Sequence, residues 1–479
     1  MKKIIIFAFA LTCFFAALSL TSYCAEITDD CTFESSAGKA HRLNDGIHKT
    51  KVTFDEDGTV RIESENEKIA YLYVIWDNPV GVWQLDEEQT ARECGEDEFI
   101  HEFIALDKEC TYVVINVPKD EILCDVRVFS QGDIPSDVQI WSPPHERADL
   151  LMLPTHSDDD HLYFGGTMPY YGAELGMRVQ VAYITNHWGE PVRTHELLNG
   201  LWTVGITAYP VISDFKDKYT DSLETARDIY DSDEMRGYIV ELIRRFKPYV
   251  LLAHDLQGEY GHGAHMLSAL LVTEAVQISM DDTHYPDSAQ KYGTWDVPKT
   301  YLHNYEENQI CMEWDKPLDR FGGKTGFEMA KEGFACHESQ LKYDLAVIKN
   351  GRSSCRFFGL YRSIVGTDVK GDDFFENIAF EEEPELPLET EPLQTAAPES
   401  TEPETDTFET VLNGSATEQP TVQETDISTE TDNAMPSFPD EDEDEKKQRV
   451  ISDILCVSAF AVLIIITAVI ALRRVYGKK

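Results

Sequence analysis

The sequence predicts an α/β protein: a Rossmann-like, mostly parallel sheet, preceded by an all-β sandwich and followed by a disordered stalk and one transmembrane helix. Short apolar segments separated by turn signals occupy the first third of the chain, a pattern that favours antiparallel strands. From Trp141 onward, strands and helices alternate, which is typical of a parallel sheet covered by helices. Beyond residue 378 the composition becomes acidic and then apolar. A chain of 479 residues also exceeds what one hydrophobic core usually holds.

The N-terminus has the pattern of a secretory signal peptide, which we predict over residues 1–25. Two lysines precede an apolar run that gives way to small and polar residues. Such a run is too short, and wrongly flanked, for a stable membrane span. We expect cleavage near Cys24 or Ala25. Lipid attachment at Cys24 is the alternative, although Tyr23 stands where that processing favours a small residue.

Residues 26–144 are predicted to form an antiparallel β-sandwich, because short segments rich in Val, Ile, Tyr and Phe alternate with turn signals such as Asp55 to Gly58. The stretch AYLYVIWDNPVGVWQL, residues 70–85, resembles discoidin-like modules, which often bind carbohydrate. Trp76 and Trp83 either stack on sugar rings or belong to the core, and the sequence leaves both possibilities open. The predicted strands are Lys51–Phe54, Thr59–Ser64, Ala70–Trp76, Thr111–Val117 and Cys124–Phe129.

Residues 145–378 are predicted to form the α/β domain, because apolar strand-like runs alternate there with amphipathic segments of helical length. Helices are expected over Glu196–Val204, Met235–Phe246 and Gly263–Ile278. Strands are expected at the run that begins with Leu150 and over Met177–Ile184, Tyr249–His254 and Lys299–His303.

Clusters of polar residues directly follow two of the predicted strands of this domain. The first reads LLMLPTHSDDDHLYFGG, residues 150–166, and the second reads LLAHDLQGEYGHGAH, residues 251–265. Binding sites of open α/β sheets lie at the carboxyl ends of the strands. Imidazoles and carboxylates that follow two strands at the same edge of the sheet can therefore serve together as ligands of one metal ion.

The residue types of the two clusters fit a catalytic zinc site, which needs three ligands from His and carboxylate and keeps a fourth position for water. His156 and Asp159, three residues apart at the start of a turn, can converge on one point, and His265 can complete the set. Asp158 and His262 then remain near the open position. A carboxylate there can accept a proton from water that the metal activates. Each group alone is more commonly a solvated loop residue, so the prediction depends on the two clusters together.

The segment THSDDDH followed by GEYGHGAH resembles the zinc-dependent deacetylases of N-acetylglucosaminyl-phosphatidylinositol and their bacterial relatives, the PIG-L and LmbE-like family. The resemblance covers roughly residues 149–377. It implies that His156, Asp159 and His265 bind Zn²⁺, or another divalent cation, and that Asp158 is the general base.

The same resemblance implies that Tyr260 and a protonated His262 assist at the substrate carbonyl, and that Arg193, in an Arg-x-x-Glu pattern with Glu196, contacts sugar hydroxyls. A later CHESQ segment, with His337 and Gln340, also resembles relatives. Three positions depart from the family pattern. Ser157 stands where proline is usual, Asp160 where glutamate is usual, and Ala264 where some relatives have aspartate.

The C-terminal part of the chain predicts a membrane tether. Residues 379–448 are rich in Thr, Pro, Ser, Asp and Glu and are expected to form an extended, disordered stalk. Residues 450–472 are apolar and long enough for a transmembrane helix, and the basic tail at 473–479 is expected to stay cytoplasmic. The domains before the stalk would then face outward from a single-pass cell-membrane protein.

These features together predict a surface-anchored, metal-dependent deacetylase of an extracellular or cell-wall glycan that contains N-acetylglucosamine. The formal net charge of −46 argues against nucleic acid as a partner, because an acidic surface repels phosphates. One alternative is a non-catalytic glycan-binding adhesin or lectin with a degenerate deacetylase domain. A glycoside hydrolase that uses Asp158 and Asp160 as paired carboxylates is another, but it leaves His156 and His265 without a role.

Overall fold

The computed structural model describes residues 26–88 and 90–380. The chain divides into two units, Met1–Glu385 and Leu386–Lys479, and all described residues belong to the first. None of the helices in this described part is long and apolar enough to span a membrane. The predicted signal peptide, transmembrane helix and basic tail lie outside the described residues, as does the stalk apart from residues 379 and 380, so these remain predictions.

The N-terminal part of the described chain is a sandwich of two antiparallel sheets. Five strands form one sheet in the order β1-β3-β8-β5-β6, and four form the other in the order β2-β9-β4-β7. The strands are β1 (Cys31–Ser35), β2 (Val52–Thr53), β3 (Gly58–Ser64), β4 (Ile69–Trp76), β5 (Trp83–Glu87), β6 (Thr90–Cys94), β7 (His101–Cys110), β8 (Tyr112–Val117) and β9 (Ile122–Phe129).

The inner faces of the two sheets form a single apolar core, because alternate residues of strands such as β3 and β8 point inward. Trp76 and Trp83 belong to this core. They are 0% and 2% exposed, and their ring centroids lie 5.5 Å apart in an edge-to-face contact. Sugar stacking by these two side chains, one of the two possibilities left by the sequence, is therefore not available in this structure.

The second part of the chain is built on a seven-stranded sheet with the order β12-β11-β10-β13-β14-β16-β15. The first five strands in this order are parallel, and β16 runs antiparallel to both of its neighbours. The predicted mostly parallel sheet is therefore present. Its strands are β10 (Leu150–Met152), β11 (Val179–Tyr183), β12 (Val211–Ile212), β13 (Val250–Ala253), β14 (Lys299–His303), β15 (Gln309–Cys311) and β16 (Phe357–Ser363).

Helices cover both faces of this sheet, and a separate apolar core lies on each side of it. The helix predicted over Glu196–Val204 begins earlier, at Pro191, whose fixed φ suits the first turn of a helix. The helices are α1 (Asp159–Leu162), α2 (Pro191–Thr203), α3 (Leu223–Ile229), α4 (Ser232–Phe246), α5 (Gly263–Ile278), α6 (Pro286–Tyr292) and α7 (Gly326–Ala335).

The sandwich packs directly against helix α2 of the α/β part. His101 Nε2 lies 2.8 Å from His195 Nδ1, and the Trp202 indole N–H donates to the Ser136 carbonyl at 2.9 Å. These contacts hold one side of α2 against the sandwich, so Arg193 and its neighbours on the other side have a fixed position.

Candidate metal centre

The two predicted clusters meet at the carboxyl ends of β10 and β13. These strands are adjacent and parallel, with Leu150 paired to Val250. Strand connections leave them in opposite directions along the sheet, so the clusters lie at the point where the strand order reverses. That point is the usual ligand site of an open α/β sheet.

The three predicted ligands converge on one position. His156 Nδ1 lies 3.0 Å from Asp159 Oδ2 and 2.9 Å from His265 Nε2, and His265 Nε2 lies 3.2 Å from Asp159 Oδ2. Donor atoms about 2.0–2.2 Å from a shared tetrahedral zinc ion lie about 3.4 Å apart. Two imidazole nitrogens and one carboxylate oxygen at these separations fit a divalent cation.

A carboxylate contacts the outer nitrogen of each predicted histidine ligand. Asp217 Oδ1 lies 3.3 Å from His156 Nε2, and Glu259 Oε2 lies 2.8 Å from His265 Nδ1. Such contacts fix the ring orientation and make the metal-facing nitrogen more basic. Both rings are therefore fixed with their inner nitrogens directed at the same position.

Glu259 also connects the centre to two more histidines. Its carboxylate lies 2.8 Å from His254 Nδ1 and 2.7 Å from His303 Nδ1. The other nitrogen of His254 accepts a hydrogen bond from the Thr155 backbone N–H at 2.9 Å, which commits the lone pair that a metal would need. His254 therefore positions the Glu259 carboxylate through a hydrogen bond and is not a fourth ligand.

The centre strongly favours a positive charge. Burial by itself would lower the pKa of His156, but the neighbouring carboxylates of Asp159 and Asp217 raise it to about 10. Burial also opposes ionisation of Glu259, yet the hydrogen bonds and charges of His254, His265 and His303 hold the pKa of that carboxyl well below its usual value. The same negative potential would stabilise a divalent cation between these groups.

Asp158, the predicted general base, precedes the ligand Asp159 and is itself buried. Its Oδ1 lies 3.2 Å from Arg193 Nη2, and Arg193 Nη1 lies 3.4 Å from Asp217 Oδ2. Burial and the charge of Asp159 raise the pKa of Asp158, while Arg193 opposes the rise. Arg193, predicted to bind substrate, thus lies buried between two carboxylates and contacts Asp158, the predicted base.

His262 and Tyr260 lie beside the ligands, as predicted, but His262 differs in charge from the expectation. Burial, with repulsion from His156 and His265, lowers the pKa of His262 to about 3, so its imidazole is neutral near neutral pH. The structure therefore does not favour the protonated form that the family resemblance implied. A neutral ring can still donate one N–H hydrogen bond.

Two exposed tyrosines flank His262 at the surface. Tyr219 is 77% exposed and Tyr260 is 61% exposed, and their ring centroids lie 5.4 Å and 5.6 Å from that of His262. Tyr260 has a left-handed backbone with φ 46°, in a turn that begins at Gly258 with φ 64°. A Cβ at Gly258 would lie 2.5 Å from the His262 carbonyl, so this tight turn requires glycine.

Glu196, Asp160 and the CHESQ segment, the weaker matches to the family pattern, make contacts away from the three converging residues. Glu196 accepts hydrogen bonds from the Ser339 backbone N–H at 2.7 Å and from its hydroxyl at 2.6 Å, and so fixes the CHESQ turn against α2. Asp160 is completely buried, and its Oδ2 accepts a hydrogen bond from the Tyr183 hydroxyl at 2.9 Å. His337 lies in the same buried region and not at the metal centre.

Sequence reasoning missed the roles of Asp217, Tyr219 and His303. Asp217 and Tyr219 follow β12 in a polar segment, DFKDKYT, that carries no pattern distinguishing them from solvated loop residues. His303 was available as a signal, because it ends a predicted strand of the same parallel sheet, as His254 does.

Comparison with known proteins shows a family match over the residues that form this centre. Residues 151–276 match the family model of PIG-L, described as GlcNAc-PI de-N-acetylase. The solved structures that are similar include N,N'-diacetylchitobiose deacetylase from Pyrococcus horikoshii, with 18% identity and a TM-score of 0.31, over 41% of this chain and 73% of that one.

Two curated relatives carry the name 1D-myo-inositol 2-acetamido-2-deoxy-alpha-D-glucopyranoside deacetylase. The protein from Catenulispora acidiphila is 24% identical in an alignment of 205 positions that covers 37% of this chain and 62% of the relative. The protein from Streptomyces scabiei is 27% identical in an alignment of 214 positions that covers 38% of this chain and 65% of the relative. The chain thus spans less than two thirds of either relative. The segment that carries His156, Asp159 and His265 is the one that matches the PIG-L family of GlcNAc-PI de-N-acetylases.

Proposed function

We propose that this protein is a metal-dependent hydrolase that removes the N-acetyl group from a glycan or conjugate containing N-acetylglucosamine. The observation that carries the proposal is the convergence of His156 Nδ1, Asp159 Oδ2 and His265 Nε2 within 3.2 Å of one another. The match of residues 151–276 to a family of de-N-acetylases supports the choice of reaction.

The three converging residues would hold the cation, and Zn²⁺ is the ion that this donor set suits best. When bound, such an ion acidifies water and polarises a carbonyl oxygen. Asp217 and Glu259 keep the two imidazoles in place through hydrogen bonds to their outer nitrogens.

Asp158 takes the proton from the attacking water. Its raised pKa makes it a better proton acceptor than an exposed carboxylate, and Arg193 keeps its Oδ1 in position. The proton can then pass from Asp158 to the departing amine, so that the products are acetate and a free amino sugar.

His262 and the two exposed tyrosines would bind the substrate from the open side of the centre. A neutral His262 donates an N–H hydrogen bond toward the oxygen on which negative charge develops. Tyr219 and Tyr260 present ring faces and hydroxyls beside it, groups that suit the mixed apolar and polar faces of a sugar.

The sequence outside the described residues supports a location at the outer face of a membrane, where residues 450–472 would anchor the chain. The substrate is then an extracellular or cell-wall glycan. Two other functions have less support. A degenerate, purely glycan-binding domain does not require a complete set of metal ligands in which a carboxylate contacts the outer nitrogen of each histidine. A glycoside hydrolase would need Asp160 to face the substrate beside Asp158, but Asp160 is fully buried and accepts a hydrogen bond from Tyr183.

The direct test is acetate release by the purified full chain from a panel of N-acetylglucosamine glycosides and oligosaccharides. We expect release that a chelator abolishes and that added Zn²⁺ restores, with Asp158→Asn as a strongly impaired but zinc-binding control. Reducing ends without acetate would indicate glycoside hydrolysis. Zinc binding without any product from the panel would count against the proposed reaction.

A further inference from the structure

A second cluster of metal-ligating residues lies next to the first and is closed to solvent. It consists of Asp160 and His161 from α1 and His337 from the turn that follows α7, and all three side chains are 0% exposed. Each can place one ligand atom within 4.8 Å of the others. The proposed deacetylation uses none of the three.

Most of the polar atoms in this cluster have no hydrogen-bond partner among the described residues. Asp160 Oδ2 accepts from Tyr183, but Asp160 Oδ1 and both ring nitrogens of His161 and of His337 are buried and form no hydrogen bond; His161 Nε2 lies 3.6 Å from Asp160 Oδ2. Buried polar atoms are almost always paired, because leaving them unpaired sacrifices the hydrogen bonds that water would make. Five such atoms in one place indicate that a bound species belongs there.

Two glycines make room for the His161 ring at the centre of this cluster. A Cβ at Gly200 would lie 2.5 Å from His161 Nε2 and 3.1 Å from His337 Nε2, so both nitrogens lie close to each other beside the backbone of α2. A Cβ at Gly333 would lie 2.6 Å from His161 Nδ1. Any larger residue at either position would displace the His161 ring, so these two helix positions form a cradle around the cluster.

We propose that Asp160, His161 and His337 bind a second divalent cation, of the transition-metal type. Two imidazoles and one carboxylate are a donor set that suits Zn²⁺ and its neighbours, whereas Ca²⁺ and Mg²⁺ prefer oxygen ligands throughout. The ion ties α1 to α7 and, through the Tyr183 hydroxyl on Asp160, to β11. Because the cluster is closed, the ion is structural and does not meet substrate.

The test is the zinc content of the full chain, measured by mass spectrometry after dialysis against zinc-free buffer. We expect about two equivalents in the wild type, about one in His156→Ala/His265→Ala, about one in His337→Asn, and about two in the control His284→Asn, an exposed histidine outside both clusters. A wild type with one equivalent that disappears in His156→Ala/His265→Ala would overturn the proposal, and buried water would then fill the cluster.

A second measurement covers the possibility that His337→Asn does not fold. His156→Ala/His265→Ala, loaded with Co²⁺ during refolding, should show the visible absorption of a nitrogen- and oxygen-bound cobalt ion and a raised melting temperature. Absence of both signals would overturn the proposal without any use of the His337 variant. Neither readout depends on acetate release, so the second site and the deacetylase proposal can fail separately.

Discussion

Asp159 and Asp160 are neighbours in the first turn of α1, yet they belong to two clusters of opposite character. Consecutive helical residues point about 100° apart, so the two carboxylates face different sides of the helix. Asp159 joins His156 and His265, whose outer nitrogens are both held by carboxylates. Asp160 joins His161 and His337, whose four ring nitrogens have no hydrogen-bond partner among the described residues.

In our proposals the first cluster holds a catalytic cation and the second a structural one, and this difference in surroundings is what distinguishes them. The first cluster lies beside the exposed side chains of Tyr219 and Tyr260, and carboxylates contact the outer nitrogens of its two predicted histidine ligands, which makes the inner nitrogens more basic. The second cluster is sealed and relies on packing by Gly200 and Gly333 for its shape. Substitutions in the first should therefore remove activity, whereas those in the second should reduce stability.

The largest effect is expected for His265→Ala. Loss of one of three ligands should release the catalytic cation, and with it several kcal/mol of transition-state stabilisation, so that acetate release falls by about 10⁴-fold or more. Steady-state acetate release and zinc content measure this together. His284→Asn serves as the control. Substantial activity in the zinc-free His265 variant would contradict the proposal that the first cluster holds the catalytic cation.

Asp158→Asn should lower kcat/KM by about 10²–10⁴-fold while zinc content stays at the wild-type value, because it removes a proton acceptor and not a ligand. The amide keeps the size of the side chain. If this variant lost zinc in parallel with activity, Asp158 would be a ligand and its assignment as the base would be incorrect.

His262 distinguishes a neutral hydrogen-bond donor from a general acid. Its pKa of about 3 means that raising the pH from about 5 to about 9 does not change its charge. His262→Ala should therefore lower kcat by about 10²-fold, His262→Gln should retain more of it, and neither should remove an alkaline limb from the pH profile. If kcat fell equally in the two variants and the alkaline limb of the pH profile disappeared, a protonated His262 would be the active form.

Asp217→Asn and Glu259→Gln should each weaken zinc binding by about 10–100-fold, because each amide holds its imidazole less firmly and leaves it less basic. Competition with a chromophoric chelator measures the affinity. Addition of excess zinc should restore most of the acetate release in Asp217→Asn. Unchanged affinity in both variants would show that the outer carboxylates do not distinguish the two clusters.

The smallest effect on catalysis is expected for His337→Asn. Loss of the proposed structural ion should lower the melting temperature of the zinc-loaded chain by roughly 3–6 °C, and acetate release below that temperature should stay within about threefold of the wild type. Calorimetry and a parallel assay measure the two quantities. A large loss of activity with an unchanged melting temperature would place His337 in the catalytic centre.

The sequence contained enough information to predict the first centre, because its residues occupy two short segments that directly follow apolar strands. His156 and Asp159 are close in sequence, and His265 follows the neighbouring strand β13 of the same sheet. The parallel arrangement then brings them together without any long-range information about side chains. Glu259 was visible in the second segment, but a lone carboxylate gives no sign of the imidazoles that it will contact.

Long-range contacts account for what the sequence did not predict. Asp217 reaches His156 from the segment after β12, and His337 joins His161 from a turn 176 positions later in the chain. In the sandwich, β1, β5, β6 and β7 were missed because their outward faces carry charged residues that interrupt the apolar pattern. The inward position of Trp76 and Trp83 likewise depends on the pairing of the two sheets, which no single strand encodes.

The most direct test of the central claim is anomalous diffraction at the zinc absorption edge from crystals of the zinc-loaded protein. The structure predicts a peak about 2.0–2.2 Å from His156 Nδ1, Asp159 Oδ2 and His265 Nε2, with Asp217 and Glu259 on the outer nitrogens of the two rings. A zinc-loaded crystal without a peak there, or with His156 and His265 bound to separate ions, would contradict the shared centre and the deacetylase that depends on it.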